Sequence, residues 1–111
     1  MIYRVLIGEA AERDLQEIYD WISEDDSISH ADHVLDELVR AAESIATFPE
    51  RGSRPKDLLP SVNGDFRQVL FKPYCVVYEV KPTEVLIHLI ADGRRNLQSL
   101  LLRRLSEDQF G

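Results

Sequence analysis

Apolar positions along the chain change period several times, and each change marks an element. Tyr3 to Ile7 (YRVLI) is a short run of β-prone residues and predicts a strand. From Glu9 to Glu24 the period lengthens: Ala11, Leu15, Ile18 and Ile22 recur at four, three and four, which makes one stripe on a helix. Glu9, Glu12 and Asp14 fall in its first turns, where the helix dipole favours negative charge. The segment SEDDSIS breaks the pattern and predicts a turn. Ser29, with Asp32 three residues on, reads as the cap of a second helix. That helix is lined by Ala31, Val34, Leu35, Leu38, Ala41, Ala42, Ile45 and Phe48 and stopped by Pro49 and Gly52. Two helices with a short link form an antiparallel hairpin.

Residues 49–64, with three prolines and two glycines, read as a surface loop. Three strands follow, at Asp65–Phe71, Tyr74–Val80 and Glu84–Ala91, with links short enough only for antiparallel neighbours. The last of them (VLIHLIA) is apolar on both faces and is expected in the middle of the sheet, with the first strand beside it. A final helix is expected from Arg95 to Ser106, on the stripe Leu97, Leu100, Leu101 and Leu105. The order β-αα-βββ-α predicts an α+β domain with an N-terminal strand, a helical hairpin over one sheet face, a three-stranded antiparallel meander and a C-terminal helix. At 111 residues the whole of 1–111 is expected to be a single domain.

Charge narrows the function. The formal net charge is −7, but residues 1–50 hold thirteen acidic and three basic residues, whereas residues 51–111 hold ten basic and seven acidic. An acidic first half repels phosphate, so direct nucleic-acid binding is not expected. No apolar run approaches the roughly 20 residues of a membrane helix, and the start turns acidic too early for a secretory signal. A single cysteine excludes an internal disulfide. These features lead to the expectation of a cytoplasmic protein.

Few residues stand out as chemistry. His30, His33 and Asp36 have helical spacing but lack the further ligands a structural zinc needs, so no metal is expected. His88 and Cys75 sit in apolar strands and read as core. No nucleophile elbow, metalloprotease helix, Walker loop or dinucleotide fingerprint is present. The basic residues are more telling. Arg103 and Arg104 lie toward a helix C-terminus, where the dipole accounts for them. Arg94 and Arg95 sit where that helix starts, against the dipole, and need an acidic partner, a pairing with Asp92, or a function.

An ordered set of short motifs spans nearly the whole chain: DL-x-x-IYD-x-I from Asp14, FPERG from Phe48, FR-x-V from Phe66, Y-x-VVYEV from Tyr74 and DGRR from Asp92. In this set the chain resembles the RelE/ParE toxins of bacterial toxin–antitoxin operons. The resemblance implies a twisted antiparallel sheet with an N-terminal helical hairpin. It also implies a cognate antitoxin, a small DNA-binding protein whose flexible C-terminal segment wraps the toxin. RelE-like members cut messenger RNA in the ribosome, whereas ParE-like members inhibit DNA gyrase by binding, without turnover or cofactor. Against the RNase pattern, a basic residue is kept at Arg67 and the pair at Arg94 and Arg95, but the other expected groups fall at Val69, Cys75 and near Leu101. Losing charge-stabilising groups costs about a hundredfold or more each. The expectation is therefore a ParE-like, non-nuclease toxin with no catalytic residues, a target-binding surface at Arg67, Arg94 and Arg95, and antitoxin contacts at Tyr19 and Trp21 beside the core stripe of the first helix. The alternatives are a ribosome-dependent RNase and an inert relative that serves only as antitoxin partner and co-repressor.

Overall fold

The stripe on the first helix determines how the layers assemble. The structure, a computed structural model, describes residues 2–54 and 64–110, the side chains of 107–110 excepted. Strand β1 (Arg4–Ile7) leads through Gly8 into helix α1 (Glu9–Asp25), which buries Ala11 and Ile22 fully and Leu15 and Ile18 in part. Helix α2 (Ile28–Thr47) returns antiparallel and buries Ala31, Val34, Leu38 and Ile45. The break between them is shorter than the sequence pattern suggested. Ser27, not Ser29, is the cap: its hydroxyl accepts from the His30 N–H at 3.0 Å, and Ser29 lies inside the helix. A cap oxygen satisfies an N–H that has no partner within the helix, and Ser27 is the residue with extended backbone there.

After a 3-10 turn at Pro49–Arg51 come β2 (Asp65–Phe71), β3 (Tyr74–Val80) and β4 (Glu84–Asp92), then helix α3 (Leu97–Phe110). Helix α3 begins two residues later than the leucine stripe implied, because Asn96 caps it by accepting from the Ser99 N–H at 3.1 Å. The sheet order is β1-β4-β3-β2, with β1 parallel to β4 and the other pairs antiparallel. The strand that is apolar on both faces, β4, is indeed internal. Its alternation serves two cores. Val85, Ile87 and Ile90 join Tyr74, Val76 and Tyr78 under the α1–α2 hairpin. Leu89 and Ala91 join Phe66, Cys75, Val77 and Leu101 under α3 on the opposite face. Each large apolar side chain buried in this way contributes about 1.5–3 kcal/mol.

Two irregularities shape the sheet. Val77 pairs with Leu89 but Tyr78 with Ile87, so His88 is an extra residue that bulges β4. The strand β1 stops opposite Ile87, and among the described residues no strand pairs with the rest of β4 on that side. At the far edge, Ser53 bridges Gln68 of β2 through two backbone hydrogen bonds, of 3.0 and 2.8 Å.

The loop entering that edge is pinned by Tyr78, whose side chain is fully buried. Its hydroxyl donates to the Pro49 carbonyl at 2.8 Å and accepts from the Gly52 N–H at 3.0 Å. A Cβ on Gly52 would overlap the Tyr78 hydroxyl and lie 2.8 Å from the Gln68 carbonyl oxygen, so only glycine fits. Gly52→Ala is therefore expected to destabilise the protein by about 1–3 kcal/mol in urea unfolding, the usual range for overpacking. A change below about 0.5 kcal/mol would show that the loop seats elsewhere.

Candidate functional site

The end of β4 makes a tight cationic corner. Asp92, the last strand residue, accepts from the Arg94 backbone N–H at 2.9 Å and from its Nε and Nη2 at 3.0 and 2.8 Å. The Arg94 guanidinium so close to the carboxylate holds Asp92 down to about 2, well below the usual range. The same pairing raises Arg94 further. Gly93 donates to the Pro73 carbonyl at 2.8 Å, which fixes this turn to the β2–β3 link, and the Arg95 N–H donates to the Asp92 carbonyl. Both arginines precede the first turn of α3, and Asp92 supplies the acidic partner that offsets the dipole conflict for Arg94, while Arg95 stays beside the Asn96 cap. The Arg94 side chain is 86% exposed in spite of that pairing.

Arg67 stands apart from this corner. It pairs with Tyr78 and so lies on the hairpin side of the sheet. Asp92 pairs with Tyr74 and through it aligns with Phe71, four residues further along β2, about 13 Å at strand rise. The Arg67 side chain is 15% exposed. Its Nε and Nη2 donate to Asp65, and Nη1 donates to the carbonyls of Glu50 and Gly52 at 3.0 and 3.2 Å. Two of its bonds thus hold the FPERG turn against β2, and the other two go to Asp65 of the same strand.

The remaining positions are equally concrete. Val69 packs in part against the hairpin core, Leu101 of α3 is buried against the sheet, and Cys75 is buried with its thiol pushed up to about 11 by loss of solvent. A thiol so raised stays protonated and unreactive near neutral pH. His88 is buried, lies with its ring centroid 5.5 Å from that of Phe66 at a tilt of 44°, and has Nε2 at 3.0 Å from Glu79 Oε1, as a hydrogen-bonded core histidine should. His30 is exposed and its Nδ1 lies 2.5 Å from Asp26 Oδ2. Among the described residues no group of three His, Cys, Asp or Glu side chains is placed to hold a metal. Nor is any described helix long and apolar enough to cross a membrane. Tyr19 donates its hydroxyl to Asp32 of α2 at 2.7 Å, and that carboxylate raises its pKa. Trp21 is 62% exposed. Residues two apart on a helix point away from each other, so Tyr19 and Trp21 do not form one patch.

A pair that sequence reasoning missed ties the layers together. Arg104 of α3 grips Asp14 of α1 in a two-pronged ion pair of 2.8 and 3.0 Å, and its Nη1 also donates to the His88 carbonyl at 2.7 Å. Asp14 Oδ2 accepts in addition from the Ile90 N–H at 3.0 Å. The structural role assigned to Arg104 stands, but its cause is this pair and not the helix dipole. A signal was present: Asp14 falls beside Ala11, Leu15 and Ile18, and Arg104 beside Leu100, Leu101 and Leu105, so opposite charges occupy two apolar stripes.

A bulged sheet with a parallel N-terminal strand, a helical hairpin on one face and a helix on the other defines the RelE/ParE toxin fold. The chain belongs to the ParE toxin family of type II toxin–antitoxin systems: residues 5–97 match the family described as ParE toxin of type II toxin-antitoxin system, parDE. Toxin ParE3 of Caulobacter vibrioides is 28% identical over 98 residues, 88% of this chain and 94% of that protein. The chromosomal ParDE system from P. aeruginosa contains a similar structure, with TM-score 0.69 and 18% identity over 82% of this chain and 96% of that one. The toxin-antitoxin complex RelBE2 from Mycobacterium tuberculosis has TM-score 0.62 and 20% identity, covering 83% and 99% of the two chains. A double arginine-to-alanine mutant of E. coli toxin RelE in the free state has TM-score 0.63 and 15% identity, covering 94% and 98%. The solved structures establish the likeness of fold.

The Asp92–Arg94 pair makes a pH prediction. Because the folded pKa is depressed from 3.8 to about 2, the contribution to stability is complete above about 4 and is lost as pH falls through about 2. A carboxyl-detected NMR titration should place Asp92 at about 2 and return it toward the ordinary range in Arg94→Ala. A wild-type midpoint near 4 would contradict the pairing.

Proposed function

We propose that this protein acts in the cytoplasm as a gyrase-directed toxin, inhibiting DNA gyrase by binding and being neutralised by a cognate antitoxin. The observation that carries the reading is how the family's RNase positions are filled. Val69, Cys75 and Leu101 contribute apolar, wholly or partly buried side chains where cutting RNA would call for cations and a proton-transfer group. Tyr78 does not substitute, since burial raises its pKa and both its hydrogen bonds go to the FPERG turn. The family match to ParE and the name of the Caulobacter relative point the same way.

In this reading Arg94 and Arg95 contact the target. Both are exposed, and the Asp92–Arg94 pair and the bond from Gly93 to Pro73 hold their backbone in place. Preorganised exposed arginines make effective interface contacts. Arg67 takes a supporting part, by holding the turn before β2. The antitoxin is assigned the hairpin surface, with Tyr19 in the shallow groove it shares with Leu15 and Leu35 and Trp21 as a separate exposed anchor. The solved complexes of ParDE and RelBE2 support a partner of this kind.

Purified protein is expected to inhibit gyrase supercoiling, and antitoxin to reverse the effect. Arg94→Glu with Arg95→Glu should weaken inhibition at least about tenfold, or about 1.4 kcal/mol, while the melting temperature stays near wild type. Full potency in the folded double variant would sink the assignment of the surface. Intact supercoiling together with messenger cleavage on induction would replace gyrase with the ribosome.

A further inference from the structure

Asp92 is an odd neighbour for two arginines that form a cationic surface. Its carboxylate takes the Arg94 Nε–H and an Nη2–H, and Arg95 lies close enough for its charge to act on the same carboxylate. A carboxylate there cancels part of the positive charge that such a surface presents, so its place needs another reason. Holding the turn does not supply one. The turn is already fixed by main-chain bonds, from the Gly93 N–H to the Pro73 carbonyl at 2.8 Å and from the Arg95 N–H to the Asp92 carbonyl at 3.1 Å. The side-chain bond within the turn, from the Arg94 N–H to Oδ1 at 2.9 Å, asks for one oxygen, which an asparagine would also offer. Only the two guanidinium bonds, at 3.0 Å to Oδ1 and 2.8 Å to Oδ2, call for both oxygens of a carboxylate.

We infer that Asp92 is a positioning residue: it holds the Arg94 guanidinium side-on, so that the far edge of the fork meets the target already oriented. The inference rests on the reading that Arg94 contacts the target. A guanidinium carries five N–H groups. Here Nε–H and one Nη2–H face Asp92, which leaves both groups on Nη1 and the second on Nη2. Nη1 has no partner among the described residues, and the Arg94 side chain is 86% exposed. An arginine so exposed, if left unpaired, samples many rotamers that binding must then freeze. Pairing in the free protein removes much of that loss in advance, because the planar fork is fixed by two bonds at once. The pair exchanges charge for order: it gives up net positive charge and gains a defined direction. Replacing Asp92 by asparagine separates the two effects, since it adds positive charge to the surface while loosening Arg94.

The test compares the full chain with Asp92→Asn, Arg94→Ala and the double variant, by inhibition of gyrase supercoiling and by NMR relaxation of the Arg94 Nε–H. Asp92→Asn should weaken inhibition about threefold or more in spite of the added positive charge, and should add nothing in the Arg94→Ala background. The Arg94 Nε–H should be ordered in the wild type and lose order in Asp92→Asn, while the Gly93 and Arg95 amides keep theirs. A merely structural role for Asp92 would loosen those amides as well. Unchanged or stronger inhibition by Asp92→Asn, where Arg94→Ala inhibits less well, would overturn the inference and leave the target reading standing. Full potency in folded Arg94→Ala would sink the target reading and the inference with it. A wild-type Arg94 Nε–H no more ordered than that of Asp92→Asn would overturn the inference whatever the target. If the wild type leaves gyrase untouched, growth arrest on induction replaces supercoiling as the readout, with the same outcomes.

Discussion

The structure depends on closing an open strand edge. Strand β1 pairs with only the first part of β4, and beyond Ile87 the bulge at His88 turns backbone groups toward an edge that no strand covers among the described residues. Unpaired backbone groups at such an edge cost stability and invite pairing with other chains. The Asp14–Arg104 pair closes it: Asp14 takes the Ile90 N–H, Arg104 takes the His88 carbonyl, and the two grip each other. Side chains only 15–16% exposed make this a mostly desolvated pair. Such a pair is tolerable because its oxygens and N–H groups are satisfied several times over.

The same contact organises the surface around the edge of β4. Since α1 belongs to one sheet face and α3 to the other, the pair is the clasp that brings the two helices near each other around the edge of β4. It thereby brings Arg13 of α1 and Arg103 of α3 to one cleft, which Arg95 also lines. At the opposite edge Tyr78, Arg67 and Gly52 lock the FPERG turn to β2. Two of the family-like motifs, DL-x-x-IYD and FPERG, are thus read as edge closures: one begins with Asp14, the other holds the turn gripped by Tyr78.

Much of this was legible along the chain. The element order, the internal place of β4 and the buried roles of His88 and Cys75 follow from period and composition, because burial dictates alternation. What was not legible depended on contacts distant in sequence. Asp14 and Arg104 are ninety residues apart, and each has a local excuse in the helix dipole that conceals the real partner. Arg67 reads as a surface cation on a strand; only the fold reveals carbonyls waiting for it. Arg94 and Arg95 oppose the dipole of a helix that starts at Arg95, and half of that conflict dissolves because Asn96 caps α3 and Asp92 holds Arg94. Both nevertheless remain exposed. The segment 55–63, expected as a loop, lies outside the described residues.

The central claim is that one ion pair closes the β4 edge and positions both helices. A double-mutant cycle on Asp14→Leu and Arg104→Leu, measured by urea unfolding, tests it most directly. The account predicts that each single variant loses about 3 kcal/mol or more, because it strands a buried charge, and that the double variant loses far less than the sum, with a coupling of about 2–3 kcal/mol. Additivity within about 0.5 kcal/mol would show that the two residues act independently and that something else holds the layers together.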